Sequence, residues 1–249
     1  MNFDDRVLFA TGGGSGIAAA TARRFAAGGG RVAIVDLDAA KAEEVAAGLD
    51  DAIGLGVDVA DEASVQGAVT ATYERFGHID AVLNAAGHAT FGPIEEWSLD
   101  DWHRMMAVHA GGTFLVCKHV LPQMREQGRG SIVNVASTAA LTANHQNSPY
   151  GAAKGAIVAF SRQLAREGAP DVRVNAVAPG RVRTGMTEPL FTARGATADE
   201  GAQRFGMANL QQRVAGADEL AAPICFLLSD DASFITGTLL VVDGGETAI

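Results

Sequence analysis

Short apolar runs alternate along this chain with longer stretches in which alanine shares positions with polar residues. RVLFAT (6–11) reads as a buried strand, and Ser15 to Ala27 as a helix. RVAIVD (31–36) predicts a second strand and 39–48 a second helix. AIGLGVDV (52–59) is a third strand weakened by its glycines, followed by an amphipathic helix over 61–76. IDAVLNAAG (79–87) is a fourth strand with its exit loop, and 100–127 a long helical region expected to break at Pro122. GSIVNVAS (130–137) is a fifth strand. The helix over 149–167 carries a proline in its first turn, where a fixed φ suits it. VRVNAVAP (172–179) and LLVVDGG (239–245) complete seven strands.

Apolar strands joined by helices predict an α/β fold, a parallel sheet with helices on both faces. No Pro/Ser-rich linker, internal repeat or low-complexity segment divides the 249 residues, so one domain is expected. The least regular stretch, 185–217, is polar and glycine-containing. Its place after a strand end favours a substrate lid near 185–210 over a surface insertion. Composition narrows the partners. The net charge is −10 and no basic run occurs, which argues against nucleic acid or an anionic membrane surface. No apolar run reaches the ~18 residues of a membrane helix, and the first ten residues lack a signal-peptide pattern. Two lone cysteines, Cys117 and Cys225, fit buried thiols in a reducing cytoplasm.

FATGGGSGIAAA joins the first strand to the first helix. Glycines let the backbone turn sharply and approach a pyrophosphate, while the helix N-terminus offers free N–H groups. G-x-G-x-x-G does not fit, because Ile17 holds its last glycine position; T-G-x-x-x-G fits through Thr11, Gly12 and Gly16. Asp36 ends the second strand, where a carboxylate can accept hydrogen bonds from ribose hydroxyls and repel a 2′-phosphate. No cation follows before Lys41, so NAD is favoured over NADP; Asp38 is the better cap for the next helix. A P-loop is excluded, since no lysine follows a glycine.

SPYGAAKGAIVAF (148–160) sets Tyr150 and Lys154 one helical turn apart, on one face. A nearby ammonium favours phenolate, which makes a tyrosine a usable general acid or base. Ser137 ends the fifth strand, at the carboxyl edge where parallel sheets build their sites, and its hydroxyl could hold a substrate oxygen beside the phenol. No serine sits in G-x-S-x-G, and no H-E-x-x-H or paired-cysteine spacing offers a metal site.

These residues together resemble the short-chain dehydrogenase/reductase family over nearly the whole chain. TGGGSGIA is similar to its cofactor turn, Asp58-Val59 to its adenine-binding pair, NAAG (84–87) to its N-N-A-G, and PGRVRT (179–184) to its nicotinamide-binding loop. Ser137, Tyr150 and Lys154 match its catalytic set, and ITGTLLVVDGG (235–245) its C-terminal segment. The resemblance implies a Rossmann-type doubly wound sheet and hydride transfer between NAD(H) and an alcohol/carbonyl pair. Tyr150 would move the proton, Lys154 would lower its pKa and hold the nicotinamide ribose, and Ser137 would polarise the substrate oxygen. Cofactor contacts are expected from Gly12, Ser15, Gly16, Ile17, Asp36, Leu37, Asp58, Val59, Asn84, Ala86, Gly87, Tyr150, Lys154, Pro179, Gly180, Val182 and Thr184. A homotetramer is also implied.

Three positions depart from the family pattern. Ala18 replaces a glycine and Ala85 an asparagine, while MAVHAGGTF (106–114) puts His109 where the family has an asparagine supporting a proton path from the lysine. His109 is therefore expected to organise that relay and to titrate near neutrality. His88, the 144–147 loop and the 185–210 region are expected around the substrate, and NHQN hints at a hydroxylated one. The main reading is an NAD-dependent dehydrogenase of secondary alcohols or polyols. Its rivals are a 3-oxoacyl carrier-protein reductase, which would carry basic residues where Ser15 and Asp36 stand, and a silent NAD-binding sensor.

Overall fold

The computed structural model describes residues 1–143, 145–192 and 197–248. Seven strands form one sheet: β1 (Val7–Thr11), β2 (Arg31–Asp36), β3 (Ala52–Gly56), β4 (Ala81–Asn84), β5 (Gly130–Val135), β6 (Val172–Pro179) and β7 (Leu239–Val242). Their order is β3-β2-β1-β4-β5-β6-β7, and every pairing is parallel. The chain winds outward in one direction to β3, then returns past β1 to lay down β4. The carboxyl ends of β1 and β4 thus diverge into a crevice, the switch point at which such sheets bind ligands.

The apolar runs are unbroken because both faces are covered. In β1, Leu8 and Ala10 face one core while Val7 and Phe9 face the other, and Val32/Ile34 and Ala33/Val35 of β2 divide the same way. One face is covered by α1 (Gly16–Ala27), α2 (Ala39–Ala47) and α9 (Ala217–Leu228). The other is covered by α3 (Glu62–Phe76), α5 (Gly112–Glu126) and α6 (Ser148–Gly168). Each fully buried Leu, Ile or Phe here stabilises the fold by about 1.5–3 kcal/mol relative to exposure.

Helix starts follow local chemistry. Asp38 caps α2 and Asp61 caps α3, while Ser98 and Asp101 form a capping box on α4 (Leu99–Met106). The break expected at Pro122 lies elsewhere: α5 runs through Pro122, and the interruption is a π turn, Ala107–Gly111, between α4 and α5. A π turn inserts one residue into the helical ladder, and such bulges gather at functional sites. The irregular 185–217 stretch holds α7 (Glu188–Thr192) and α8 (Ala198–Gly206), the latter started by a capping box of Thr197 and Glu200. Residue 144 and residues 193–196 of the expected substrate segments lie outside the described residues.

Candidate active site

The glycine turn is tight because its neighbours leave no room. A Cβ on Gly12, which has φ +68°, would stand 2.9 Å from the Ala86 Cα, and one on Gly14 would stand 2.9 Å from Asp36 Oδ2. Thr11 joins the two strand ends, its hydroxyl accepting from the Ala85 and Ala86 N–H groups at 3.1 and 3.2 Å. Asp36 is held in the same way: Oδ2 accepts from Gly14 N–H and Oδ1 from Asp38 N–H, both at 3.0 Å. Helix α1 then starts at Ser15 with no side-chain cap and no acidic residue in its first turn. Its N–H groups face the crevice uncompensated, in contrast to the capped α2, α3 and α4.

Two clefts meet at this turn. The first, about 440 Å³, is lined by Gly12, Asp36, Leu37, Asp58, Val59, Ala86 and Gly87, with His88 and Arg104 at its far wall. The second, about 280 Å³, holds Gly12, Ser15, Gly16, Ile17, Asp36 and Gly87 on one side. Ser137, Tyr150, Lys154, Pro179, Gly180, Val182 and Thr184 stand on the other. The shared residues make one groove from Asp58 to Tyr150. An extended anionic dinucleotide fits this cradle: small residues where its backbone would pass, an open helix N-terminus for phosphate, and a carboxylate at one end for ribose hydroxyls.

Asn84 departs from expectation. Its Nδ2 donates to Asn134 Oδ1 at 2.9 Å and lies 3.4 Å from Cys117 Sγ, while Asn134 Nδ2 donates to Ser161 Oγ at 2.9 Å. The side chain turns into the core and ties β4 to β5 and α6, away from the groove, because a buried amide needs partners. Ala86 and Gly87 of the same motif do line the groove.

Ser137 reaches the groove from the turn after β5, where its Oγ accepts from Ala139 N–H at 3.2 Å. Tyr150 and Lys154 come from the first turns of α6. Lys154 is buried, with Nζ donating to the Val135 carbonyl at 2.8 Å, and burial pushes its ammonium down to about 7. The Tyr150 phenol is raised above its usual range by burial, with a hydrogen bond to Ser137 pulling the other way. The expected lowering of the tyrosine by its lysine is therefore absent from the protein alone. Nζ lies 5.6 Å from the ring centroid and engages the Val135 carbonyl, and burial disfavours its positive charge, so desolvation of the phenol dominates.

His109 lies in the π turn behind these groups, 1% exposed. Its ring meets Tyr150 edge-on at 5.4 Å, and its Nε2 lies 2.8 Å from the His88 carbonyl. The His88 N–H also lies 3.3 Å from Nε2; the shorter contact, to a carbonyl that only accepts, assigns the proton to Nε2 and leaves Nδ1 buried without a partner among the described residues. Burial, with the Lys154 charge adding to it, lowers His109 to about 3. The expectation of titration near neutrality is corrected: His109 stays neutral, and it stands behind the groove rather than in it. His88 lines the first cleft.

A third hollow of about 360 Å³ opens on the far side of Tyr150 and Ser137. His145, Gln146 and Asn147 line it, with Met186, Thr187, Leu190 and Phe205 from the irregular region. Arg181 and Glu246 also line it, and sequence reasoning missed both. Arg181 sat unnoticed inside PGRVRT, and nothing in the sequence linked a residue near the C-terminus to the site.

The model of the family described as enoyl-(acyl carrier protein) reductase matches residues 12–247. The chain is 39% identical to levodione reductase of Leifsonia aquatica, over 99% of this chain and 96% of that protein. It is 43% identical to D-threitol dehydrogenase of Mycolicibacterium smegmatis, over 99% and 95%. The crystal structure of an NAD⁺-bound xylitol dehydrogenase superposes with a TM-score of 0.89 at 32% identity, over 98% of this chain and all of that one. The chain belongs to the short-chain dehydrogenase/reductase family. It is an oxidoreductase acting on CH–OH groups, of a class that uses a nicotinamide cofactor.

Proposed function

We propose that this chain oxidises a secondary alcohol with NAD⁺, Tyr150 taking the hydroxyl proton, and reduces the ketone in reverse. The observation that carries the reading is the convergence of Ser137, Tyr150 and Lys154 in the groove that also receives the uncapped N-terminus of α1. Asp36 supports NAD. Its carboxylate is fixed at the groove by two backbone N–H groups, and the next cation, Lys41, is paired with Asp38 at 3.0 Å. Gly12, Ser15, Gly16, Ile17, Leu37, Asp58, Val59, Ala86, Gly87, Pro179, Gly180, Val182 and Thr184 would hold the dinucleotide.

The bound nicotinamide supplies the hydride acceptor. The protein handles the proton. Ser137 Oγ–H donates to the carbinol oxygen and positions it against the Tyr150 hydroxyl. Tyr150 Oη accepts the proton, which requires its phenolate, and the burial that raises its pKa must be opposed before it works at neutral pH. Charged Lys154 opposes it. Its pKa of about 7 means that modest added negative charge in the groove, such as a phosphate at α1, restores the ammonium. His109, neutral and packed on Tyr150, is a positioning residue in this reading. Met186, Leu190 and Phe205, on the hollow beside Tyr150, support reading the 185–210 region as a substrate lid.

Assembly and placement belong to the same reading. Phe114 of α5, about half exposed and edge-on to Phe160 of α6, supports burial of this surface in a homotetramer. Two free, buried thiols suit a cytoplasmic protein, and no described helix is long and apolar enough to cross a membrane. Titration with NADH and NADPH, followed by an NAD⁺-reduction screen over secondary alcohols and polyols, tests the proposal. Tighter NADPH binding overturns the cofactor choice. Saturable NADH binding with no turnover across the screen favours a silent sensor.

A further inference from the structure

We propose that Glu246 selects the substrate, accepting a hydrogen bond from a second hydroxyl of a neutral, polyhydroxylated alcohol whose reacting carbinol lies against Tyr150. The inference rests on the reading of Tyr150 as the proton acceptor.

Glu246 reaches the hollow beside Tyr150 through the fold rather than the sequence. Gly180 N–H donates to the Val242 carbonyl at 3.0 Å, and a Cβ on Gly180 would stand 2.7 Å from the Asp243 Cα, so the turn after β6 is pressed against the turn after β7. Asp243 accepts from the Gly245 and Thr247 N–H groups at 2.9 and 2.7 Å, fixing the final turn that carries Glu246. Arg181 and Glu246 meet there, Nε to Oε1 at 3.1 Å, in a part of the wall where their side chains are only 23% and 12% exposed.

The pair leaves one group unspent. Arg181 has its Nε on Glu246 and its guanidinium 4.4 Å over the Phe205 ring, so this cation is engaged on an edge and a face. Glu246 Oε2 is buried with no hydrogen-bond partner among the described residues. So is Oδ1 of Asn147, on the same hollow. A carboxylate oxygen can only accept, and a buried acceptor without a donor costs free energy until one arrives. The occupant should therefore bring O–H donors. An anionic substrate would find Arg181 already paired and the Glu246 charge opposing it. Ser137 and Tyr150 line the same hollow, so one hydroxyl can be oxidised while a neighbouring one is read at the wall.

A hydrogen-bonding site discriminates strongly against the analogue that lacks its hydroxyl. The test is NAD⁺ reduction with 2,3-butanediol, 2-butanol and 3-hydroxybutyrate by the wild type and Glu246→Gln, with NADH fluorescence titration reporting a folded groove. We expect the wild type to favour the diol over the mono-alcohol by about tenfold or more in kcat/KM, and Glu246→Gln to cut that ratio by about tenfold. With Arg181 released, the relative rate on the hydroxy acid should rise in the variant. If the glutamine variant fails to bind NADH, Glu246→Asp, which keeps the charge but retracts the oxygen, is read by the same ratio and should also lower it. Equal wild-type rates on diol and mono-alcohol overturn this inference alone, as does a wild-type preference for the hydroxy acid. A ratio unchanged in the folded variant does the same. Failure to oxidise any of the three overturns it together with the reading of Tyr150.

Discussion

At the scale of single residues, burial acts on Tyr150 and Lys154 alike. Tyr150 and Lys154 are each pushed toward their neutral forms. Replacing Tyr150 with Phe should lower kcat about 10²–10⁴-fold while NADH still binds, the loss typical of one positioned acid/base. Turnover at the wild-type rate would move the proton role elsewhere. His109 gives a stability prediction. In the unfolded chain a histidine takes up its proton below about 6.5. In the fold His109 resists protonation down to about 3. Between these values the unfolded state binds the extra proton, so stability falls as pH falls, and above 6.5 the effect vanishes. From pH 6.5 to 5 this group should cost about 2 kcal/mol, a loss that His109→Asn removes. Urea denaturation at the two pH values checks it; equal acid losses in both proteins would refute it.

At the scale of elements, the π turn and the exit loop of β4 form one mechanical unit. A Cβ on Gly87 would stand 2.3 Å from the His109 ring, which is itself held between Tyr150 and the His88 carbonyl. Gly87→Ala should cost about 1–3 kcal/mol through overpacking and weaken NADH binding, because the loop lines the groove. His109→Ala in the same chain should relieve most of that cost. A double-mutant cycle by urea denaturation measures the coupling; costs that add within about 0.5 kcal/mol would show that the two do not interact. This unit explains why a histidine is accommodated here. The π turn carries the ring, and the glycine opposite, Gly87, makes room for it.

For the whole molecule, the groove is assembled from the carboxyl ends of β1 to β6, so its occupant ties both halves of the sheet together. A ligand bound only by the folded state stabilises it by about 2.7 kcal/mol at a hundredfold excess over Kd. NADH should therefore raise the midpoint of thermal unfolding more than NADPH does at equal concentration, and Asp36→Ala should narrow that gap. A larger shift with NADPH in the wild type would reverse the cofactor assignment.

Residues close in sequence wrote much of this protein plainly. The apolar runs marked all seven strands, since a strand buried on two faces must be apolar throughout. The TGGGSG turn, Asp36 at the end of β2, Ser137 after β5 and the Tyr150–Lys154 spacing marked the candidate groove and the residues proposed to move its proton. Each is a local pattern, set by backbone geometry or one helical turn. The tertiary structure decided what depends on burial or on distant chain segments meeting. The core took the Asn84 side chain for its hydrogen bonds. The π turn replaced the break expected at Pro122. Desolvation lowered the pKa values of Lys154 and His109 and raised that of Tyr150. The Arg181–Glu246 pair, 65 residues apart in sequence, exists only because β6 and β7 end side by side. A sequence names its donors and acceptors, but packing determines which of them are left for a ligand.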